Sequence, residues 1–253
     1  MLDVIGNSVA RFCRMGGDII VPPRCAHCDL GIPDAQDGLM LCGDCQSELG
    51  PVDWASCIAC GSAAPSGRQP PDSCERCRSA DFSFDGVISL GSYQDAPRKA
   101  ILRMKLATER PLSVAMGRLF CVRQGGRVTE FQPDAVVPIP MFWGREVLRG
   151  VNSPSILAGT IARQLRLPIA DQLVKRWRNT FPQTNLRPRQ RFLNVRGAFR
   201  LQAGYDLGGR RLLLVDDILT TGATCSEVAG LLKRAGVEMV VAAVMTRAKG
   251  GNR

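Results

Sequence analysis

The chain has 253 residues, with 33 Lys and Arg against 23 Asp and Glu, a formal net charge of +10 and a hydrophobic content of 45%. That length suits one large domain with a small one beside it. No stretch approaches the roughly 18 consecutive apolar residues of a membrane span, so a spanning protein is excluded and a soluble globular one expected. Charge divides unevenly: residues 1–80 hold 6 basic and 10 acidic residues, whereas residues 81–253 hold 27 and 13.

From the start of the chain, Met1 to Val21 has apolar positions at Val4, Ile5, Val9 and Phe12, interrupted by Asp3, Arg11, Arg14 and Asp18. The pattern predicts a short amphipathic helix over 1–22 rather than a cleaved leader. Cysteines follow in a repeat. Cys25-x2-Cys28 is followed after 13 residues by Cys42-x2-Cys45, and Cys57, Cys60, Cys74 and Cys77 copy that set 32 positions later. Disulfides have no reason to keep such a register, whereas two tetrahedral thiolate sites do, so two structural zinc ions are expected in preference to iron or disulfides. The sequential pairing is simplest, and a nested pairing of first and last knuckles also satisfies the spacing. The segments between knuckles are rich in Gly, Pro and Asp, so metal should supply much of the folding energy of residues 23–80. His27 lies inside the first knuckle and is read as a bystander, since four cysteines are already present. Cys13 and Cys121 fall on apolar helical faces and are expected in the core, and Cys225 is expected to pack as a small residue. So many reduced thiols imply the cytoplasm.

From Phe82 the pattern changes to alternating strands and helices. Strands are predicted at 84–91 and 134–140, and helices at 96–106, from Pro111 onward and from Ser153-Pro154 to Leu165. A further strand is expected near 173–177, then a long irregular segment, then strands at 212–215 and 237–246. This order gives an α/β domain over 81–253, a parallel sheet with helices on both faces that binds ligands at the carboxyl ends of its strands. Between Gln172 and Tyr205 the chain has eight basic residues and no acidic one. A solvated basic loop is the ordinary outcome of such a run. Its expected place between two sheet strands, at the ligand end, sets anion binding beside that reading as an equal alternative.

The stretch around which the rest is organised is Leu212 to Glu227. Leu212–Val215 is a continuous apolar run, as a strand buried on both faces requires. Asp216 and Asp217 end it, and Thr220-Thr221-Gly222-Ala223-Thr224 form a small polar turn before a helix whose apolar positions are Val228, Leu231, Leu232 and Ala235. Small side chains let backbone N–H groups approach an anion at a helix N-terminus, and threonine hydroxyls add donors. The two carboxylates suit vicinal sugar hydroxyls, and water-mediated magnesium. A ribose carrying a 5′-phosphate fits this combination. There is no Gly-x-x-x-x-Gly-Lys-Ser/Thr, so a P-loop for a nucleoside triphosphate is excluded.

Leu212–Thr224 resembles the phosphoribosyl-pyrophosphate (PRPP) signature of the type I phosphoribosyltransferases, and the whole chain from Pro22 to Thr246 resembles one branch of them, the ComF family. That family joins a cysteine-rich double zinc ribbon to a phosphoribosyltransferase domain and is associated with competence for DNA uptake. Tyr93, Arg98, Ile101 and Lys105 are similar to the family's first helix. Pro138-Ile139-Pro140 with Arg145, Arg149-Gly150 and Asn152 resembles the segment that carries the pyrophosphate loop. Arg178, Thr180, Gln183, Leu186, Arg191, Asn194 and Gly197-Ala198-Phe199 resemble the basic loop before the signature strand. Val151 departs from the family's usual aromatic and Ser153 from its usual glutamine. No motif marks an acceptor base.

The resemblance implies a PRPP–magnesium site with Asp216 and Asp217 on the ribose and Thr220, Thr221, Gly222, Ala223 and Thr224 on the 5′-phosphate. Arg145, Arg149, Arg178 and Arg191 would serve the pyrophosphate. It implies displacement of pyrophosphate at C1 of PRPP. Two other readings stand beside it. The basic loop, with Trp143, Trp177, Phe181 and Phe192 among arginines as stacking platforms, suits single-stranded DNA, with PRPP as ligand rather than substrate; those aromatics otherwise belong in the core. The zinc repeat suits a scaffold that docks other competence proteins.

Overall fold

A computed structural model describes residues 23–32, 38–64, 72, 74–78, 80–181 and 186–248. The helix expected over 1–22, with Cys13, lies outside these residues, as does Gln183. In chain order the elements are α1 (Gly43–Leu49), α2 (Glu75–Arg78), β1 (Gly86–Ser92), α3 (Asp95–Arg103), α4 (Arg110–Phe131) and β2 (Ala135–Pro138). There follow α5 (Trp143–Arg149), α6 (Ser153–Leu165), β3 (Val174–Arg176), α7 (Pro188–Val195), β4 (Phe199–Leu201), β5 (Arg211–Leu219), α8 (Ala223–Arg234) and β6 (Met239–Arg247).

The main sheet has four strands in the order β1-β6-β5-β2, and all its pairings are parallel. Leu212 to Val215 are buried, as the apolar run predicts for a central strand covered on both sides. On one face Leu213, Val215 and Ala243 join the buried residues of α4 and α6. On the other, Leu212, Leu214 and Val244 meet Val228, Ala229 and Leu232 of α8. The α4 residues expected to face inward (Leu112, Ala115, Met116, Leu119 and Phe120) are all fully buried. Each large one contributes about 1.5–3 kcal/mol of transfer free energy.

The expectation for 173–177 needs correction. β3 pairs antiparallel with β4 in a separate two-stranded ribbon, so the basic segment does not run between two strands of the main sheet. The segment is not irregular either, since α7 forms within it. A three-residue strand with one buried position leaves too little periodicity to separate a hairpin-like arm from a sheet strand. Cys121 is half-buried rather than core, and Cys225 is buried.

The cysteines gather as two sequential sets, Cys25/Cys28/Cys42/Cys45 and Cys57/Cys60/Cys74/Cys77, with all ligand atoms of each within 4.8 Å of one another. The nested alternative is not what forms. Sulfur–sulfur separations of 3.6 Å occur in both sets. They are far too long for a disulfide at about 2.05 Å and match the edge of a tetrahedron with metal–sulfur bonds of about 2.3 Å. Although burial opposes it, the N–H groups of Cys28, Cys42 and His27 bring Cys25 down to about 7. Burial, with the other cysteines adding, pushes Cys77 up to about 12. In either set four thiolates this close repel one another and need a cation among them, so the donors fit zinc.

The two sets are supported differently. Leu41, Leu49, Cys25 and Cys45 join the main core, and Arg103 of α3 donates to the carbonyls of Ala26 and His27. The second set has a core of Cys57, Cys60 and Cys77 with Phe82, Ala59 and Cys74 packed on it. It lies along the edge of β1, where Val87 donates to Ile58 O at 2.7 Å and Ser89 Oγ to Gly61 O at 3.2 Å. Gly61 has φ +67°, and a Cβ there would stand 2.6 Å from Val87 Cγ1.

Two outcomes follow. Metal analysis of the purified protein should find two zinc ions per chain, one for each cysteine set, and intact disulfides would refute it. Gly61→Ala should cost at least about 2 kcal/mol, from the left-handed backbone and the overpacking together, read as a fall in the denaturation midpoint.

Candidate functional site: a phosphate turn at the end of the central strand

β2 stops at Pro138, opposite Val215, while β5 continues to Leu219 against β6. Asp216 to Leu219 therefore project past the end of β2, open on that side. The turn and α8 follow directly. Gly222 is the N-cap of α8, with φ +83° and no side-chain cap, so the cap residue itself places no side chain over the first-turn N–H groups. Among the described residues the N–H groups of Thr220, Thr221 and Gly222 also meet no acceptor. Ala223 N–H donates to Thr221 Oγ1 at 3.4 Å. Unspent N–H groups at a helix N-terminus, with half-buried threonines around them, have the geometry that anion binding requires.

Asp217 is buried, 8% exposed, and its N–H donates to Asp216 Oδ1 at 2.9 Å. Burial pushes the Asp216 carboxyl well above the ordinary carboxylate range, and the charge of Asp217 adds to it; the Asp217 N–H and Lys105 oppose. Two adjacent acids with too little positive charge between them are what a hard, oxygen-seeking cation such as magnesium fits. The Cys225 thiol points at Asp216 Oδ2, 4.0 Å away. Burial, then Asp216 and Asp217, push that thiol up, so it is a packed thiol and no nucleophile.

Above Asp216 stands the β3–β4 arm. Burial, then the charge of Arg145, drives Arg176 down to about 10, with Asp216 opposing and Arg178 adding. Its Nε is buried without a partner, while its terminal amine donates to Thr180 Oγ1. Arg145 donates to Thr180 O. Crowded guanidinium groups with a buried donor unspent have the chemistry to take an anion. Arg176 belongs to the acid-free run, yet the sequence singles out no role for it. Its signal is the alternation Val174-Lys175-Arg176, buried, exposed and half-buried in the structure, which is legible only once the strand is known.

The other expected arginines are spread differently. Arg178 donates to Asn194 O at 3.1 Å and Arg196 O at 2.8 Å, and Arg191 to Leu186 O at 3.0 Å, so both also serve to fold the arm. Arg149 is exposed at the end of α5. Asn152, the N-cap of α6, has a buried Oδ1 without a partner. Ser153 is buried and donates to Met104 O at 2.6 Å, which fastens the turn carrying Lys105.

Residues 152–252 match the family described as "Phosphoribosyl transferase domain". With the parallel sheet and the turn after its central strand, this defines a phosphoribosyltransferase-domain protein preceded by two four-cysteine sites. Competence protein F of Haemophilus influenzae is 31% identical over 221 residues, 86% of this chain and 93% of that protein. DNA utilization protein YhgH of Escherichia coli (strain K12) is 30% identical over 225 residues, 88% of this chain and 96% of that one. The chain belongs to the competence protein F (ComF) family. Among solved structures, a purine phosphoribosyltransferase from Pyrococcus horikoshii is 16% identical and covers 65% of this chain and 87% of its own, with a TM-score of 0.31, a likeness too slight to build on.

The raised Asp216 carboxyl has a thermodynamic consequence. An acid whose pKa is higher folded than unfolded favours the fold below its ordinary range, and loses that contribution as pH rises through the raised value. The neutral isostere Asp216→Asn should therefore gain on the original protein as pH rises. Its melting temperature relative to the original should be higher at pH 8 than at pH 5, and a difference that shrinks with pH would refute the assignment.

Proposed function

We propose that the chain binds PRPP–magnesium at the end of β5 and transfers its phosphoribosyl group. The unspent N–H groups of Thr220, Thr221 and Gly222 at the start of α8 carry the reading. Residues 220–224 take the 5′-phosphate, the threonines through their hydroxyls. Asp216 and Asp217 accept from the ribose hydroxyls, and would hold magnesium through water. Bound there, magnesium supplies charge neutralisation for the departing pyrophosphate.

In the transfer an acceptor's electron pair forms the new bond to C1. The C1–O bond to pyrophosphate breaks, its electron pair leaves with pyrophosphate, and the acceptor's proton passes to solvent. An oxocarbenium-like centre needs no strong protein nucleophile, consistent with the buried Cys225 as the one thiol beside Asp216 among the described residues. Arg145 and Arg176 would meet the pyrophosphate, together with Arg149 of α5, Arg178 and Arg191 of α7. Residues 23–80 form the ribbon unit and residues 81–253 the transferase unit in this reading. Thiols gathered as metal ligands suit a reducing compartment, so we place the protein in the cytoplasm. No helix among the described residues is long and apolar enough to cross a membrane.

A second reading is favoured by one observation. Trp143 and Phe181 are 70% and 75% exposed, against the usual fate of aromatics, and they stand among the arginines of α5 and the arm. Stacking platforms beside guanidinium groups suit single-stranded nucleic acid. Relatives named for competence and DNA utilization make DNA uptake the setting, with other competence proteins as partners. Trp177 is less available, since Arg200 lies 4.1 Å over its ring.

Calorimetry separates the readings. PRPP–magnesium should bind the original protein, and Asp216→Asn with Asp217→Asn should weaken it by roughly 1–3 kcal/mol for each charged acceptor lost. No binding by the original protein, or no change in the double variant, refutes the site. Pyrophosphate release from PRPP against a panel of bases tests transfer. Arg178→Ala with Arg191→Ala should weaken PRPP binding. If the arm also tracks a single strand, each lost contact should flatten the salt slope of DNA affinity by about 0.7.

A further inference from the structure

We propose that Arg247 is a positioning residue for the phosphate turn, and that through it the shape of the turn depends on the second cysteine site. The inference rests on the reading of residues 220–224 as a phosphate site and deepens it. Arg247 closes β6 and is only 5% exposed. Its Nε donates to Cys60 O at 2.7 Å. One terminal amine donates to Leu219 O and to Ala248 O, both at 2.9 Å, and to Thr220 O. One guanidinium thus spans a ligand loop of the second cysteine set and two successive carbonyls at the start of the turn.

Peptide planarity gives those two bonds their meaning. In a trans peptide the carbonyl oxygen and the following N–H lie on opposite sides. Holding Leu219 O and Thr220 O toward Arg247 turns the N–H groups of Thr220 and Thr221 the other way. These are donors that the turn leaves unspent. Leu219 O has a second donor in Ala248 N–H at 3.0 Å. Among the described residues Thr220 O has Arg247 alone, so the 220–221 peptide is the one that Arg247 orients.

A second tie runs beside the first. A Cβ on Gly222 would lie 3.0 Å from Phe82 Cε1, so that ring touches the backbone of the N-cap. Phe82 also packs against the cluster of Cys57, Cys60 and Cys77 and stacks on Phe84, with centroids 4.7 Å apart. That cluster has little apolar core besides its cysteines, so its loops hold their shape through the metal that the donors fit. The first cysteine set is tied instead to α3 and α4, by Arg103 to the carbonyls of Ala26 and His27 and by Arg118 to Gly38 O. Among the described residues it has no hydrogen bond to the turn. The two sites of the repeat therefore have different jobs.

The test uses full-length, zinc-loaded protein with Arg247→Lys, which keeps the charge but loses the fork, and Arg103→Lys as its counterpart at the first site. Hydrogen exchange of amides 219–226 reads the turn directly, and calorimetry with ribose 5-phosphate reads its affinity. Arg247→Lys should keep both metals, speed exchange in 219–226 and weaken ribose 5-phosphate about tenfold, as expected for donors that lose their aim. Arg103→Lys should leave exchange in 219–226 and the affinity as they were. Cys74→Ser, with the second metal lost, should speed exchange in 219–226 while α6 stays protected. Unchanged exchange in 219–226 for Arg247→Lys overturns the proposal, and so does equal loosening by Arg103→Lys. If the original protein binds no ribose 5-phosphate, the phosphate reading fails, and exchange still decides whether Arg247 holds the turn.

Discussion

The parallel pairing of β5 with β6 is the constraint on which the rest depends. It buries Leu212 to Val215 between two layers of helix, and its register sets Asp216 beside Val244 and Leu219 beside Arg247. Because β2 ends at Pro138, the same pairing leaves the last residues of β5 unflanked on one side. Acids, turn and helix N-terminus then meet where a parallel sheet opens to ligand. The strand that stabilises the core also delivers the chemistry.

The cysteine ribbons are integrated with that sheet. A parallel sheet leaves unpaired N–H and C=O groups on its edge strands, which invite aggregation unless covered. β1 is such an edge, and the second knuckle covers it through Val87 N–H and Ser89 Oγ. At the other edge β2 is covered by the chain after α6, where Val136 donates to Pro168 O and accepts from Ala170 N–H. The first knuckle instead adds Leu41 and Leu49 to the core. A repeat that is regular in sequence is thus divided in use: one copy enlarges the core, the other shields an edge and reaches the turn.

Electrostatics shape the other wall of the site. Arg145, Arg176 and Arg178 repel one another, and Asp216 only partly compensates. Like charges crowded at low solvent exposure persist where a ligand of opposite sign completes the set. The acid pair has the complementary deficit, since the charge of Asp217 adds to burial in raising the cost of ionising Asp216. The proposed ligand, with anionic ends and a divalent cation, would relieve both.

Local signals in the sequence were strong where one element suffices. The register of eight cysteines, the apolar strand ending in Asp216-Asp217, and Ser153-Pro154 opening α6 each carry their meaning within a few residues, because spacing and side-chain chemistry act locally. By themselves they determined two four-cysteine sites, a parallel α/β domain and a small polar turn between the acid-ended strand and its helix. The cysteine pairing, the detached β3–β4 arm and the exposure of Trp143 and Phe181 were decided only by tertiary structure. So was the guanidinium of Arg247 that joins Cys60 to Thr220, residues 160 positions apart (220 minus 60). Its partners are backbone carbonyls, which carry no trace of their donor in the sequence, and two distant segments meet at Arg247 only because β6 pairs between β1 and β5.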